Sequence, residues 1–540
     1  MAAFNIDSAT MNSGRLVPLS PDRPSVHRPS MMGFLALFAG LLARAYLYWM
    51  DPLISSDGFL YVQQARALYF RDFDQLLSCY DNVSCYPVFV AAAFSLFGEW
   101  VIAGQMTSLF FGTLSLLPLY WILRRFFVEP TASITLLIFA LLPVFVWLSR
   151  DVLRDPTYWC FSLFGLYFFL RHIEHRRPMG LFISSICFLM GAWARIEGCL
   201  FILASACYLI FSCRPEKWRD LFIFFSPYIV AAAAGILYSQ VAGIETMDVL
   251  KPERLLTRPG EFLSKYREIR DHLTALVREN PTPISPYFFD WVRHLVWFLP
   301  FAILMVQITE TLFYLFFIIL ISGIVVWRHE ILRDRRLIFL AALSIAALMV
   351  LYMQIVYNWS MTDRFIALFL FPAFVFLGAG VSCSASALST YFKLTPKKAH
   401  ILMCVIVLAV FVPKILRANY DTEKLIFSEI GEFIAQKEKN QRVVSVAGNF
   451  KELRAVHFYA NRNYPGAPCF EDGISILKQS DRASLVFVLS HGFDYFVWNE
   501  KAWQNGYPET LLPERQGQFQ KLRQWSSARE GDLILYEVRQ

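Results

Sequence analysis

Asp57, Asp151, Asp155, Arg195, Glu197, Asp363 and Arg364 stand where long apolar runs end, in turns with few other polar groups. Asp57 lies in "SSDGFLYVQQARAL", Asp151 and Asp155 in "SRDVLRDPTYW", Arg195 and Glu197 in "WARIEG", Asp363 and Arg364 in "NWSMTDRF". An ionised side chain at the centre of a bilayer costs about 2.5–3.5 kcal/mol on insertion scales, so such groups face a polar cavity or pair with one another. Arginines grip a phosphate bidentately. A carboxylate takes a hydroxyl proton, or meets the positive charge that develops on a sugar's anomeric carbon. Together these residue types fit transfer of a sugar from a lipid phosphate, with the phosphate as leaving group. A lipid-linked substrate also accounts for a site at the membrane surface, because its tail stays in the bilayer while its head reaches the cavity.

Each candidate has a plainer reading. Asp57 follows two serines and opens what reads as a surface helix, where it would be an N-cap. Asp155 precedes Pro156, an ordinary helix start. Arg195 and Glu197 can pair across their turn, and Asp363 and Arg364 can anchor an interface. Arg71, Arg150 and Arg154 can contact lipid headgroups. Arg44, inside the first apolar run, either snorkels outward or reaches the cavity.

The elements that must position these groups are membrane helices. Of 540 residues, 56% are hydrophobic and only 17% charged, against about a quarter charged in soluble proteins. The apolar residues come in blocks of about 20, the length that crosses a hydrocarbon core. Eleven candidate spans follow: 31–50, 100–123, 131–148, 156–170, 179–193, 197–212, 219–242, 310–327, 337–357, 365–390 and 399–416. Basic residues gather in alternate loops ("RRFFVEP", "RHIEHRRP", "CRPEKWR", "WRHEILRDRR", "YFKLTPKK"). The positive-inside rule then puts the N-terminus in the cytoplasm and the C-terminal region outside. The net charge of +7 is spent on such loops and does not call for nucleic acid.

The expected fold is mainly α: a polytopic helix bundle with interfacial helices on the outer face and a small C-terminal α/β domain. Residues 1–30 read as a disordered cytoplasmic tail, not a cleaved signal. Residues 31–420 form the transmembrane domain, with outer loops 51–99 and 243–308, and 421–540 an extracytoplasmic domain. Segments 86–98 and 291–308 read as interfacial helices. In the long loop a charged helix, about 260–279, precedes "NPTPISPYFFD". In the last domain "TEKLIFSEIGEFIAQKEK" and "FKELRAVHFYANR" read as helices and "RVVSVAG", "SLVFVLS" and "DLILYEV" as strands. Cys79 and Cys85, in a polar loop, can pair if that loop faces an oxidising compartment. Asn82 and Asn358 lie in Asn-x-Ser sequons, which matter only in a eukaryotic secretory host. No His/Cys cluster has metal-ligand spacing, so neither metal nor other cofactor is expected.

In order along the transmembrane half, "SSDGFLYVQQARAL", "YPVFVAAAFSLFG", "LFFGTLSLLPLYWILRRFF", "LSRDVLRDPTYWCFSLFGLYFFLR", "GAWARIEGCLFIL" and "DRFIALFLFPAFVFLGAG" resemble the GT-C superfamily of polyprenyl-phosphate-sugar-dependent glycosyltransferases. Its members include the aminoarabinose transferases of lipid A and the protein O-mannosyltransferases. The resemblance implies an inverting transfer to a lipid, glycan or protein acceptor, at the extracytoplasmic face of a membrane, most simply a bacterial inner membrane. It implies Asp57 as catalytic base or acceptor-orienting group. The second-loop acid maps best to Asp155, with Asp151 as competitor. Arg195 and Arg364 would hold the donor phosphate. Glu197, Asp363, Arg66 and Tyr61 complete the substrate-binding candidates. Many relatives carry two adjacent acids in the first loop, where this chain has Asp57-Gly58.

Two other classes compete. A secondary transporter tends to show internal repeats and a site near the midplane, and the sequence shows no repeat. A membrane scaffold with an outer binding domain would leave the charged turns structural.

Overall fold

The structure, a computed structural model, describes residues 30–50, 53–73, 75–76, 83–212, 215–242, 261, 264–275, 286–417, 422–439, 442–448, 450, 452–467, 474–477, 482–501, 507–515, 517–527 and 531–539. The Cys79–Cys85 pairing, the sequon at Asn82 and the N-terminal tail lie outside the described residues.

Helices occupy every block of the apolar pattern. They are α1 (Met31–Met50), α2 (Ser56–Phe70), α3 (Tyr86–Phe97), α4 (Trp100–Leu114), α5 (Leu116–Phe126), α6 (Thr131–Leu141), α7 (Pro143–Arg150), α8 (Asp155–His175), α9 (Pro178–Ala194), α10 (Cys199–Phe211) and α11 (Lys217–Ala242). Then follow α12 (Pro286–Leu295), α13 (Phe298–Thr311), α14 (Leu315–Val326), α15 (Arg335–Asn358), α16 (Ala367–Tyr391) and α17 (Pro396–Leu416). Residues 264–275 are also helical.

The chain is an integral, multi-pass membrane protein, but eleven spans are not confirmed. Among the described residues six helical segments are long and apolar enough to cross, or up to eight if two bent pairs each count as one span. The pairs are α6–α7, bent by 53°, and α13–α14, bent by 107°. Expected spans 179–193 and 197–212 fall on α9 and α10, of 17 and 13 residues, short of the usual length. The span expected from 310 begins at Leu315, after a reversal at Phe313 and Tyr314 with φ of 53° and 51°.

The chain divides into two compact units. The first comprises residues 1–43, 111–146 and 155–416. Within it α16 is buried without interruption from Ala367 to Val381. Helices α14 and α16 approach closely at Gly323 and Gly380, where any Cβ would overlap the Phe376 and Ile319 carbonyls. Small residues at such crossings let membrane helices pack backbone to backbone. One end of the unit is tied by buried ions: Glu174 receives Arg125 and Arg336, and Arg336 also grips Asp334 through both carboxylate oxygens.

The second unit comprises 44–110, 147–154 and 417–540. Its sheet runs β2 (Ile474–Ile476), β1 (Val446–Gly448), β3 (Tyr495–Asn499), β5 (Gly531–Val538), β4 (Phe519–Ser527). The β1 pairings are parallel and the β5 pairings antiparallel. With α18 (Thr422–Glu438), α19 (Leu453–Ala460) and α20 (Arg482–Ser490), this is the small α/β region expected. One element is corrected: "SLVFVLS" is not a strand but most of α20. Its buried residues Leu485 and Val488 are three apart, a helical spacing that outweighs β-branched composition.

The first outer segment groups with this C-terminal region. A shared core joins Phe59, Val62 and Ala65 of α2 to Val152, Leu153, Phe458 and Tyr459, and Phe59 lies 4.7 Å from the Phe458 ring. Helix α2, expected on the surface, is therefore buried over Gly58, Phe59 and every residue from Tyr61 to Ala67.

His457, on α19, is fully buried, and burial together with the neighbouring Arg66 charge pushes its pKa down to about 4. An unfolded histidine titrates near pH 6.5, so between these values only the unfolded chain binds the proton. The His457 contribution to stability is therefore constant above about pH 6.5 and should fall by about 3 kcal/mol as the pH drops towards 4. Thermal melts from pH 7 to 4.5 should show this loss for the wild type and a smaller one for His457→Phe; equal losses would refute it.

Candidate active site

In the first unit the turn between α9 and α10 presents Arg195. The residue caps α9 in an extended conformation, with φ −147° and ψ 135°. The chain then turns through Ile196–Gly198 into α10. Gly198 is required by this turn: a Cβ there would meet the Gly191 and Ala192 backbone at 2.7 Å.

Arg195 is nearly buried, 4% exposed. Its Nε and Nη2 donate to the two oxygens of Glu197 at 3.2 and 3.1 Å, and its Nη1 donates to Asp155 Oδ1. Burial opposes the Arg195 charge, but the Asp155 and Glu197 carboxylates hold its pKa above the ordinary value. Asp155 opens α8 and is 1% exposed. Its Oδ2 is buried without a hydrogen-bond partner among the described residues. A carboxylate oxygen left so is costly.

The Arg195 guanidinium lies 4.6 Å from the centre of the Phe365 ring, and that of Arg364 lies 5.5 Å from it. Two arginines thus share one aromatic platform. The neighbouring Asp363 is exposed and accepts from Gln307 Nε2. The cluster of Asp155, Glu197 and Arg195 carries one net negative charge, and Arg364 brings it to neutral. The sequence pairing of Arg195 with Glu197 is present, and Asp155 joins it. Phe365 was not singled out from the sequence; its position directly after Arg364 was the available signal.

In the second unit Asp57 is the second residue of α2, and Ser55, not Asp57, occupies the N-cap position. A carboxylate in the first turn is favoured by the helix dipole. Asp151 Oδ1 accepts from the Ser55 backbone N–H at 3.0 Å and the Val152 N–H at 2.7 Å. Burial raises the Asp151 pKa against these donors. Asp151 thus fastens the start of the helix that carries Asp57. Gly58 packs on Val152: a Cβ there would meet Val152 Cβ at 3.1 Å and its carbonyl oxygen at 3.2 Å. A second acid beside Asp57 would have to push Val152 aside by a few tenths of an ångström.

Arg66 and Tyr61, the other two substrate-binding candidates of this unit, are packed inside it. Arg66 is 1% exposed. Its Nε donates to Gly466 O at 2.8 Å, Nη1 to Asn461 O at 3.1 Å and Nη2 to Tyr464 O. Asn461 in turn exchanges hydrogen bonds with Val444, beside β1. Tyr61 packs edge-on against Tyr86, ring centres 5.6 Å apart, under the Arg154 guanidinium. Arg44 is buried, its Nε donating to Ser149 Oγ at 3.2 Å. Among the described residues no group of three or more His, Cys, Asp or Glu could hold a metal ion.

The fold is shared with solved membrane enzymes of the kind the sequence resembles. Residues 85–241 match the family described as dolichyl-phosphate-mannose-protein mannosyltransferase. The archaeal oligosaccharyltransferase AglB from Archaeoglobus fulgidus, solved with an inhibitory peptide and a dolichol-phosphate, superposes with a TM-score of 0.52 at 13% identity, covering 93% of this chain and 74% of that one. ArnT from Cupriavidus metallidurans, bound to undecaprenyl phosphate, gives a TM-score of 0.52 at 13% identity, covering 94% and 97%. No match was found among curated proteins. The family match is thus confined to residues 85–241, and the likeness to the two solved transferases is one of fold.

Proposed function

We propose that the chain moves a sugar from a polyprenyl-phosphate donor to a lipid, glycan or protein acceptor, with inversion at the anomeric carbon. Arg364, with Arg195 beside it on Phe365, takes the donor phosphate as it leaves. Asp57 removes the acceptor proton or orients the acceptor hydroxyl, and Asp155 Oδ2 receives a hydroxyl of the bound sugar. The reaction runs at the extracytoplasmic face of a bacterial inner membrane, with the N-terminus cytoplasmic, the C-terminal domain outside, and no metal. The observation that carries this reading is the buried Asp155–Arg195–Glu197 cluster, with one Asp155 oxygen lacking a hydrogen-bond partner among the described residues and a second arginine on the same ring. The undecaprenyl phosphate bound by ArnT and the dolichol-phosphate bound by AglB support a lipid-phosphate donor.

Because Arg195 is shared by two carboxylates, Arg364 supplies the charge that a phosphate needs. Purified protein in nanodiscs, given radiolabelled polyprenyl-phosphate sugars and candidate acceptors, tests this. Arg364→Gln should raise the donor KM about tenfold, the loss of one charge-assisted contact. An unchanged KM would remove Arg364 from the phosphate site.

A further inference from the structure

A cavity of 660 Å³ lies between α10 and α15, and none of the charged residues of the candidate active site lines it. It is lined by one face of each helix: every third or fourth residue from Leu200 to Ser212, and from Arg335 to Ala346. Leu203, Phe211 and Ile338 of this lining are exposed large apolar side chains on membrane helices, so the cavity opens towards acyl chains. Small residues make the hollow: Ala204 on α10, Ala342 and Ala346 on α15. Tyr208 meets Phe339 edge-on, ring centres 5.6 Å apart. From that contact the lining reaches one turn further to Ser212, which caps α10, and one turn back to Arg335, the first residue of α15. Only an antiparallel pairing brings the two lined faces into register, so Ser212 and Arg335 stand at the same end.

Arg335 is exposed and makes no side-chain ion pair or hydrogen bond among the described residues, whereas its neighbour Arg336 is held by Asp334 and Glu174. A long apolar groove closed at one end by an uncommitted cation is complementary to an anionic lipid. Basic pockets between membrane helices bind such headgroups.

We propose that this groove binds an anionic glycerophospholipid from the leaflet facing the basic loops, its phosphate on Arg335 and one acyl chain along α10 and α15. The inference is independent of the sugar-transfer reading. The test is native mass spectrometry of the full-length protein in detergent, titrated with dioleoyl phosphatidylglycerol or dioleoyl phosphatidylcholine. The wild type should hold one phosphatidylglycerol about tenfold more tightly than phosphatidylcholine, the worth of one charge-assisted contact. Arg335→Gln should erase that preference, and Ala342→Trp, which fills the groove, should lose both lipids. Arg335→Gln alone decides the matter if the tryptophan variant misfolds, and glycerol 3-phosphate should not compete. Phosphatidylglycerol preference unaltered in Arg335→Gln would overturn the proposal. So would displacement of phosphatidylglycerol by equimolar undecaprenyl phosphate, which would reassign the groove to a polyprenyl chain.

Discussion

Asp57→Asn is expected to lower the kcat of sugar transfer about 10²- to 10⁴-fold, the usual contribution of one positioned proton acceptor. The donor KM should hardly change, because Asp57 is assigned to the acceptor and not to the phosphate. Asparagine keeps the size of the side chain and one acceptor oxygen, and it loses the charge. The helix start should survive, since the Ser55 N–H is held by Asp151 and not by Asp57. Thermal melts of the variant should therefore overlay the wild type while initial rates collapse. A variant with normal kcat and a raised acceptor KM would make Asp57 a binding group and withdraw its role as base.

The largest effect on stability is expected at Arg195. Removing one partner from a buried ion cluster costs about 3–5 kcal/mol, because the charges left behind have lost their counter-ion. Arg195→Met leaves Asp155 and Glu197 facing each other, the first at 1% and the second at 16% side-chain exposure. Adding Asp155→Asn to Arg195→Met should recover part of the loss, since only the better-solvated Glu197 then lacks a cation. A double-mutant cycle by thermal or denaturant unfolding in detergent reads this coupling. Simple additivity of the two substitutions would mean that the pair is not the clamp described here.

The fold class was readable because blocks of about 20 apolar residues have one physical solution in a bilayer. The number of spans was not. Hydropathy marks where a helix is, whereas the bends at Leu142 and at Phe313–Tyr314 are backbone events that apolar composition does not encode. The turn holding Arg195 was legible from "WARIEG", because paired charges two residues apart in an apolar chain have few places to go. That Asp155 joins them, 40 residues earlier, depends on the packing of α8 on α9, which no local pattern expresses. Arg66 shows the converse. It was only one substrate-binding candidate in the sequence, and nothing there signalled that its guanidinium donates to three carbonyls some 400 residues away, holding α2 to the C-terminal region. Gly58 was the departure from the family pattern, and Val152 packs closely against it.

The most direct test follows the label on a polyprenyl-phosphate sugar given to the wild type and to an Asp57→Asn/Asp155→Asn double variant in nanodiscs with a membrane extract as acceptor. For the wild type, label should leave the lipid with release of equimolar polyprenyl phosphate and appear in a product of inverted anomeric configuration; the variant should leave it on the lipid. Equal transfer by both proteins, or label that stays lipid-linked with a folded wild type, would contradict the account.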